Sequence, residues 1–434
     1  MKTDIAEIAA WEALDSRGRP TVACRVRLEG GAVGRAIVPS GASTGGHEAI
    51  ERRDGGERYS GYGVRGAVTA LIEELAPAVH GMDAVDYRRV DARLEEVDGT
   101  AALERIGANA VLAVSLAGCL AAGAATGRPL WRFLTEQVQT PAPPRLPLPM
   151  INIISGGAHA GRALDVQDIL AVPVAATSFA EAIELTARVR AATAVLLERA
   201  GGAAALVADE GGLAAALGSN AAALDLITDG ISAAGLQPGE DVAVALDVAA
   251  NQFLDNTGDY HLASEDTTLT PAEWLETVRQ WCDRYPLISI EDVLAEDDWA
   301  GWQEAGRILP PDRQLLGDDL FATNAGRLQR GITESVANAV LVKPNQAGTL
   351  SRAQEVLEAA HAAGYATVVS ARSGDTEDSW LADLAVGWRA GQVKVGSLTR
   401  SERTAKWNRL LEIEHDTPEL PLAGRNSLGR RISL

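Results

Sequence analysis

Three short apolar runs that end in carboxylates constrain this chain more than any other feature. Leu287-Ile-Ser-Ile290 stops at Glu291 and Asp292, Val242-Ala-Val-Ala-Leu246 stops at Asp247, and Gln314-Leu-Leu-Gly317 stops at Asp318 and Asp319. A continuous apolar run of this length is the pattern of a strand buried on both faces, as in a parallel sheet covered by helices. In such folds chemistry gathers where the strands end. A single Asp there is commonly a helix cap. Three carboxylates in series, with Val340-Leu-Val342 leading into Lys343, instead predict a hard-oxygen pocket suited to Mg2+.

The chain has 434 residues, room for two domains or one large barrel with an appendage. With 59 acidic against 39 basic residues and no basic run, nucleic acid and anionic membrane are excluded as partners. A small anion is still allowed, because a site can be locally positive. Cys24, Cys119 and Cys282 lie far apart without ligand spacing, which predicts structural thiols in a reduced cytoplasmic protein. The start carries acids early and has no signal-type apolar core. Ala108 to Ala125 is apolar but rich in Ala and Gly, and reads as a buried helix, not a span.

Residues 1 to about 40 alternate like strands, Thr21 to Leu28 most clearly. A small, glycine-rich loop follows from Val38 to Glu48. Helical patterns over Val64–Ala78, Tyr87–Val97 and Ala108–Ala125 complete an α+β unit. The prolines between Pro141 and Pro149 then break the chain, so the expected division is 1–137 and 138–434. Beyond them apolar runs recur near Ile151, Ile169, Ala205, Val244, Ile288, Leu315, Leu341, Val368 and Val393. Helical patterns such as Ala180–Leu197, Pro271–Arg284, Leu350–Ala363 and Arg403–Ile413 lie between them. This rhythm predicts an α/β fold with a (β/α)8 barrel whose first strands are irregularly spaced. A doubly wound sheet is the alternative, although no GxGxxG opens a helix.

Seven motifs, in order, resemble those of the enolase family: Leu14-Asp-Ser-Arg-Gly-Arg-Pro-Thr-Val22, Ser40-Gly-Ala-Ser-Thr-Gly45, Gly156-Gly-Ala-His-Ala-Gly161, Asp209-Glu-Gly-Gly212, Ser289-Ile-Glu-Asp292, Gly317-Asp-Asp-Leu320 and Lys343-Pro-Asn-Gln-Ala-Gly-Thr-Leu350. The resemblance implies an enolase-type barrel behind an α+β N-terminal domain, usually as a homodimer. It also implies reversible loss of water from 2-phosphoglycerate. A lysine base working with one or two Mg2+ ions on an ene-diolate is the known arrangement of that superfamily.

Carried over residue by residue, the resemblance makes Asp247, Glu291 and Asp318 ligands of the first ion and Ser43 a ligand of the second. Lys343 becomes the general base and Glu210 the acid that meets the departing hydroxide, with Asp168 and His159 beside it. Arg372 and Ser373 take the phosphate, Lys394 the substrate carboxylate, and Gln167 a further substrate contact. Lys394 is also read from pattern: in Gln392-Val-Lys-Val-Gly396 it points opposite to both valines, hence into the barrel.

The chain departs from the family at the phosphorus and leaving-group side. Ala371 stands where the family has His, Gln167-Asp168 replaces Gln-Glu, Asn251-Gln252-Phe253 replaces Ser-Glu-Phe, and Val293 replaces Pro. Arg162 adds a charge to the loop that carries His159. Base, acid and metal carboxylates are kept, so the departures imply altered substrate use; an ordinary enolase that tolerates the substitutions is the close alternative, and an enolase scaffold kept as a binding or structural protein the distant one. The substrate expected is a small phosphorylated or phosphonylated carboxylic acid. A family member of phosphinothricin-type antibiotic pathways, carboxyphosphonoenolpyruvate synthase, fits that logic, with Ala371 making room and Arg162 meeting an added charge.

Overall fold

The computed structural model describes residues 2–42, 45–140 and 142–429. Strands β1 (Ile5–Leu14), β2 (Pro20–Leu28) and β3 (Val33–Ile37) form an antiparallel sheet in that order. Val22, Cys24 and Val26 are buried while Arg25 and Arg27 face water, the period-two pattern of a half-covered sheet. The helix Ala108–Ala125 covers the buried face. It is apolar on all sides and 83% buried, as befits a core helix. Contact with β3 is close: a Cβ on Gly34 would lie 2.1 Å from the carbonyl oxygen of Ala117.

The helix expected over Val64–Ala78 forms, but with a wider π-type turn at Leu71–Leu75. Pro77 accounts for it. Its ring would collide with the carbonyl four residues back and it has no N–H to give, so the preceding turn widens.

The barrel begins with β4 (Leu148–Ser155) and β5 (Asp168–Val172), followed by the two-residue β6 (Leu213–Ala214) and β7 (Ala243–Asp247). A small hairpin of β8 (Tyr260–Leu262) and β9 (Thr267–Leu269) precedes β10 (Leu287–Glu291), β11 (Gln314–Gly317), β12 (Ala339–Val342), β13 (Ala366–Ser370) and β14 (Gln392–Gly396). Strand β14 pairs with β4, which closes eight strands into a barrel with an outer ring of helices. The thread differs from a regular (β/α)8 in one strand. β5 runs antiparallel to both neighbours, with Ser155 opposite Asp168 and Asp168 opposite Asp247. The run near Ala205 is no barrel strand; Gly201 to Ala205 offers a sheet face little but methyl groups. The strand downstream of it is β6, a bracket beside the end of β4.

Period two fills the barrel. Leu148, Met150, Leu170, Val172, Ala243, Ala245, Leu341 and Val368 point inward and pack as one axial cluster. Val244, Val340, Val342 and Val393 point outward and pack under the helices. Continuing the inward series to the strand ends brings Asp168, Asp247, Lys343, Ser370 and Lys394 to one rim. The opposite end is plugged by the C-terminal segment, where Gln314 Nε2 donates to the carbonyl of Leu428 at 2.8 Å. The N-terminal part grips the rim: Ser40 and Gly374 exchange backbone hydrogen bonds, and Ala49 N donates to the carbonyl of Gln346 at 2.8 Å.

Candidate active site

The rim cavity is lined by Glu48, His159, Gln167, Glu210, Asp247, Asp292, Asp318, Asp319, Lys343, Ala371, Arg372, Ser373 and Lys394, among others. Two ammonium groups sit among its carboxylates. Lys394 Nζ donates to Asp247 Oδ2 at 2.7 Å and to both oxygens of Glu291 at 2.8 Å. Lys343 Nζ donates to Asp318 Oδ2, while Gln346 Nε2 donates to Asp318 Oδ1 at 2.9 Å.

Charge follows from this packing. Burial disfavours the charged form of Lys343, but Asp318 outweighs it and the lysine titrates above its ordinary value. Asp318 is pushed up by burial and held below the usual carboxylate range by Lys343. Lys394 is opposed by burial, yet Asp247 and Glu291 keep it firmly protonated. Glu291 rises well above its usual range through burial and the neighbouring Asp247, since one ammonium faces two carboxylates. Beneath them, Asp292 adopts a left-handed backbone (φ 44°), which Asp tolerates better than most residues. Its carboxylate accepts from the N–H groups of Asp318 at 3.0 Å and Asp319 at 2.8 Å, tying the ends of β10 and β11 together.

On the β4–β5 side Asp168 is fully buried. It accepts from Ser155 Oγ at 2.9 Å and from Asn152 Nδ2, and it meets His159 Nδ1 at 3.0 Å. The other ring nitrogen of His159 lies 3.9 Å from Glu210. Burial works against an imidazolium there, but Asp168 and Glu210 together push His159 up to about 9. In the same cavity Arg372 Nη1 donates to Glu48 at 2.9 Å and to Asn345 Oδ1 at 3.1 Å. Ser373 Oγ accepts from Ala42 N at 2.6 Å. Both are thus tied to the N-terminal loop.

Residues 5–134 match the family description "Enolase, N-terminal domain", and residues 144–429 match "Enolase, C-terminal TIM barrel domain". An enolase of Acidothermus cellulolyticus is 49% identical over 412 residues, 95% of this chain and 94% of that protein. The chain belongs to the enolase family. It is therefore an enolase-family hydro-lyase, and the family is generally Mg2+-dependent.

The donor set suits such an ion. Asp247, Glu291 and Asp318 offer the hard carboxylate oxygens that such an ion takes, and the acids lining the cavity outnumber its bases. Lys394 Nζ between Asp247 and Glu291, and Lys343 Nζ on Asp318, stand in for cations. Both contacts to Asp247 fall on Oδ2, leaving Oδ1 without a protein donor among the described residues.

The fold gathers nearly every residue anticipated for the enolase site. Ser43 lies outside the described residues. Arg162 is a correction: it is exposed, outside the cavity lining, where the sequence reading had it meeting substrate. The turn Gly157–Ala160 ends at Gly161, Arg162 itself is left-handed, and its N–H folds back onto the carbonyl of Gly157 at 2.7 Å. Sequence reasoning gave no role to Glu48, Asp292, Asn345 or Gln346. Asn345 and Gln346 directly follow Lys343, so motif adjacency signalled them. Glu48 had no such signal, because its partner is 324 positions away.

Proposed function

We propose that this chain eliminates water from a 2-phosphoglycerate-like acid whose phosphorus carries an altered substituent, giving an enolpyruvate product of the carboxyphosphonoenolpyruvate type. Ala371 carries the reading. It lines the cavity directly beside Arg372 and Ser373, where the family has His, while base, acid and metal carboxylates are retained.

In this reading Lys343 Nζ takes the proton alpha to the carboxylate, the C–H pair becomes the new C=C bond, and the beta C–O bond breaks. Glu210 gives its proton to the departing hydroxide, releasing water. His159 and Asp168 hold Glu210 in place, and Lys394 and Gln167 hold the substrate carboxylate end. Arg372 and Ser373 hold the phosphorus group, with the guanidinium fork matching its oxygens. Mg2+ held by Asp247, Glu291 and Asp318, with a second ion at Ser43, would stabilise the dianionic ene-diolate. It would also take Asp318 away from Lys343, favouring the neutral amine a base requires. The reading includes a homodimer acting in the cytoplasm, which light scattering and cell fractionation check.

The test is Ala371→His. Activity on 2-phosphoglycerate should rise and activity on a carboxyphosphonate-bearing analogue should fall. A gain on the first without loss of any other activity contradicts re-specialisation. The second reading, an ordinary enolase producing phosphoenolpyruvate, is favoured by the 49% identity to a protein of that name. It predicts full turnover of 2-phosphoglycerate by the unmodified chain.

A further inference from the structure

A line of four groups runs from the His159 turn to the first metal carboxylate. Ala158 N donates to Gln252 Oε1 at 2.8 Å, Gln252 Nε2 donates to Gln167 Oε1, and Gln167 Nε2 donates to Asp247 Oδ2 at 3.0 Å. Its direction is set at both ends, because a backbone N–H can only donate and a carboxylate can only accept. The two amides between them therefore have one consistent orientation. Gly157 makes the approach possible: a Cβ there would lie 2.7 Å from Gln252 Oε1. A carboxylate at position 252, as in the family's Ser-Glu-Phe, could accept from Ala158 but offer Gln167 no proton. Gln167 would turn, and its oxygen would then face Asp247.

We propose that Gln252 is a positioning residue that acts through Gln167 on Asp247, fixing the carboxylate rotamer that leaves Oδ1 for a cation. Lys394 holds the same Oδ2 at 2.7 Å, so the two donors together define the carboxylate plane. The inference rests on reading Asp247 as a metal ligand, and hydrogen-bond partners of ligands commonly govern metal affinity by about 10–100-fold.

The experiment is a calorimetric titration of the purified, metal-free chain with Mg2+, which reads binding without any turnover. Gln252→Met and Gln167→Met should each weaken Mg2+ by about tenfold, and the double variant should be no weaker than Gln167→Met alone. Melting of the metal-free variants within a few degrees of the parent verifies the fold, and Gln252→Leu serves if the Met variant melts early. Parent chain without Mg2+ binding would sink the metal-site reading itself. A binding parent with an unaffected Gln252→Met, or losses that multiply in the double variant, would overturn the relay alone.

Discussion

At the scale of single residues the site sets two lysines among a larger number of carboxylates. Lys343 and Asp318 neutralise each other, so in the proposed mechanism replacing the lysine removes the proton acceptor and frees Asp318 for a metal ion. Lys343→Met should lower kcat by about 10²–10⁴-fold while Mg2+ still binds, as steady-state rates and a metal titration would show. The same variant losing Mg2+ binding would mean the lysine is structural. Much of this was legible. Carboxylates at the ends of apolar runs marked Asp247, Glu291 and Asp318, and alternation turned Lys394 inward. What escaped were partners joined only by folding. Glu48 reaches Arg372 from the N-terminal loop, and Gln252 reaches Gln167 from the short 3-10 turn that follows β7, 85 positions away. Arg162 misled because adjacency to His159 said nothing of the left-handed turn that leads it into solvent.

At the scale of elements, packing and capping decide stability. Gly34 of β3 presses on the helix Ala108–Ala125, where a methyl group would meet backbone atoms of Ala117 and Ala121. Gly34→Ala should cost about 1–3 kcal/mol, read from a urea midpoint; an unchanged midpoint would mean the helix can shift aside. The helix Leu350–Ala362 carries His361, whose Nε2 pairs with Thr367 Oγ1 at 3.0 Å while its buried Nδ1 has no hydrogen-bond partner among the described residues. Burial, helped by Arg389, drives this histidine down to about 4 from an ordinary 6.5. The unfolded chain then binds the proton more tightly. Stability is full above pH 6.5 and falls as pH drops toward 4, by about 3 kcal/mol from this group. His361→Gln should flatten that part of the urea-midpoint profile. Helices such as Pro271–Arg284 were readable from their helical pattern, and in the structure Thr270 and Glu273 close a capping box at its start. The π-type turn before Pro77 and the reversed β5 were not. Propensity carries no sign for strand direction, and period two looks the same either way.

At the scale of the molecule, the N-terminal part closes over a rim built by the barrel. Asp91 of the helix Tyr87–Asp98 accepts from both N and Oγ of Ser351, and Tyr87 donates to Gln354. A closed rim crowded with acids is stabilised by cations that bind only the folded state. Mg2+ at 100 times its Kd should add about 2.7 kcal/mol, seen as a higher melting temperature than in chelator. Equal melting in both would contradict a built metal site. The two-part architecture was foreseeable from the proline-rich break and the change of rhythm after it. The grip between the parts was not, because its contacts join residues far apart in sequence.

The most direct measurement incubates the purified protein with Mg2+ and an equal mixture of 2-phosphoglycerate and its carboxyphosphonate-bearing analogue, following phosphorus resonances over time. The analogue should be consumed first, both conversions should stop on chelation, and Lys343→Met should run either about 10²–10⁴-fold more slowly. Preferential conversion of 2-phosphoglycerate to phosphoenolpyruvate, with the analogue left intact, would contradict the altered phosphorus pocket and leave an ordinary enolase.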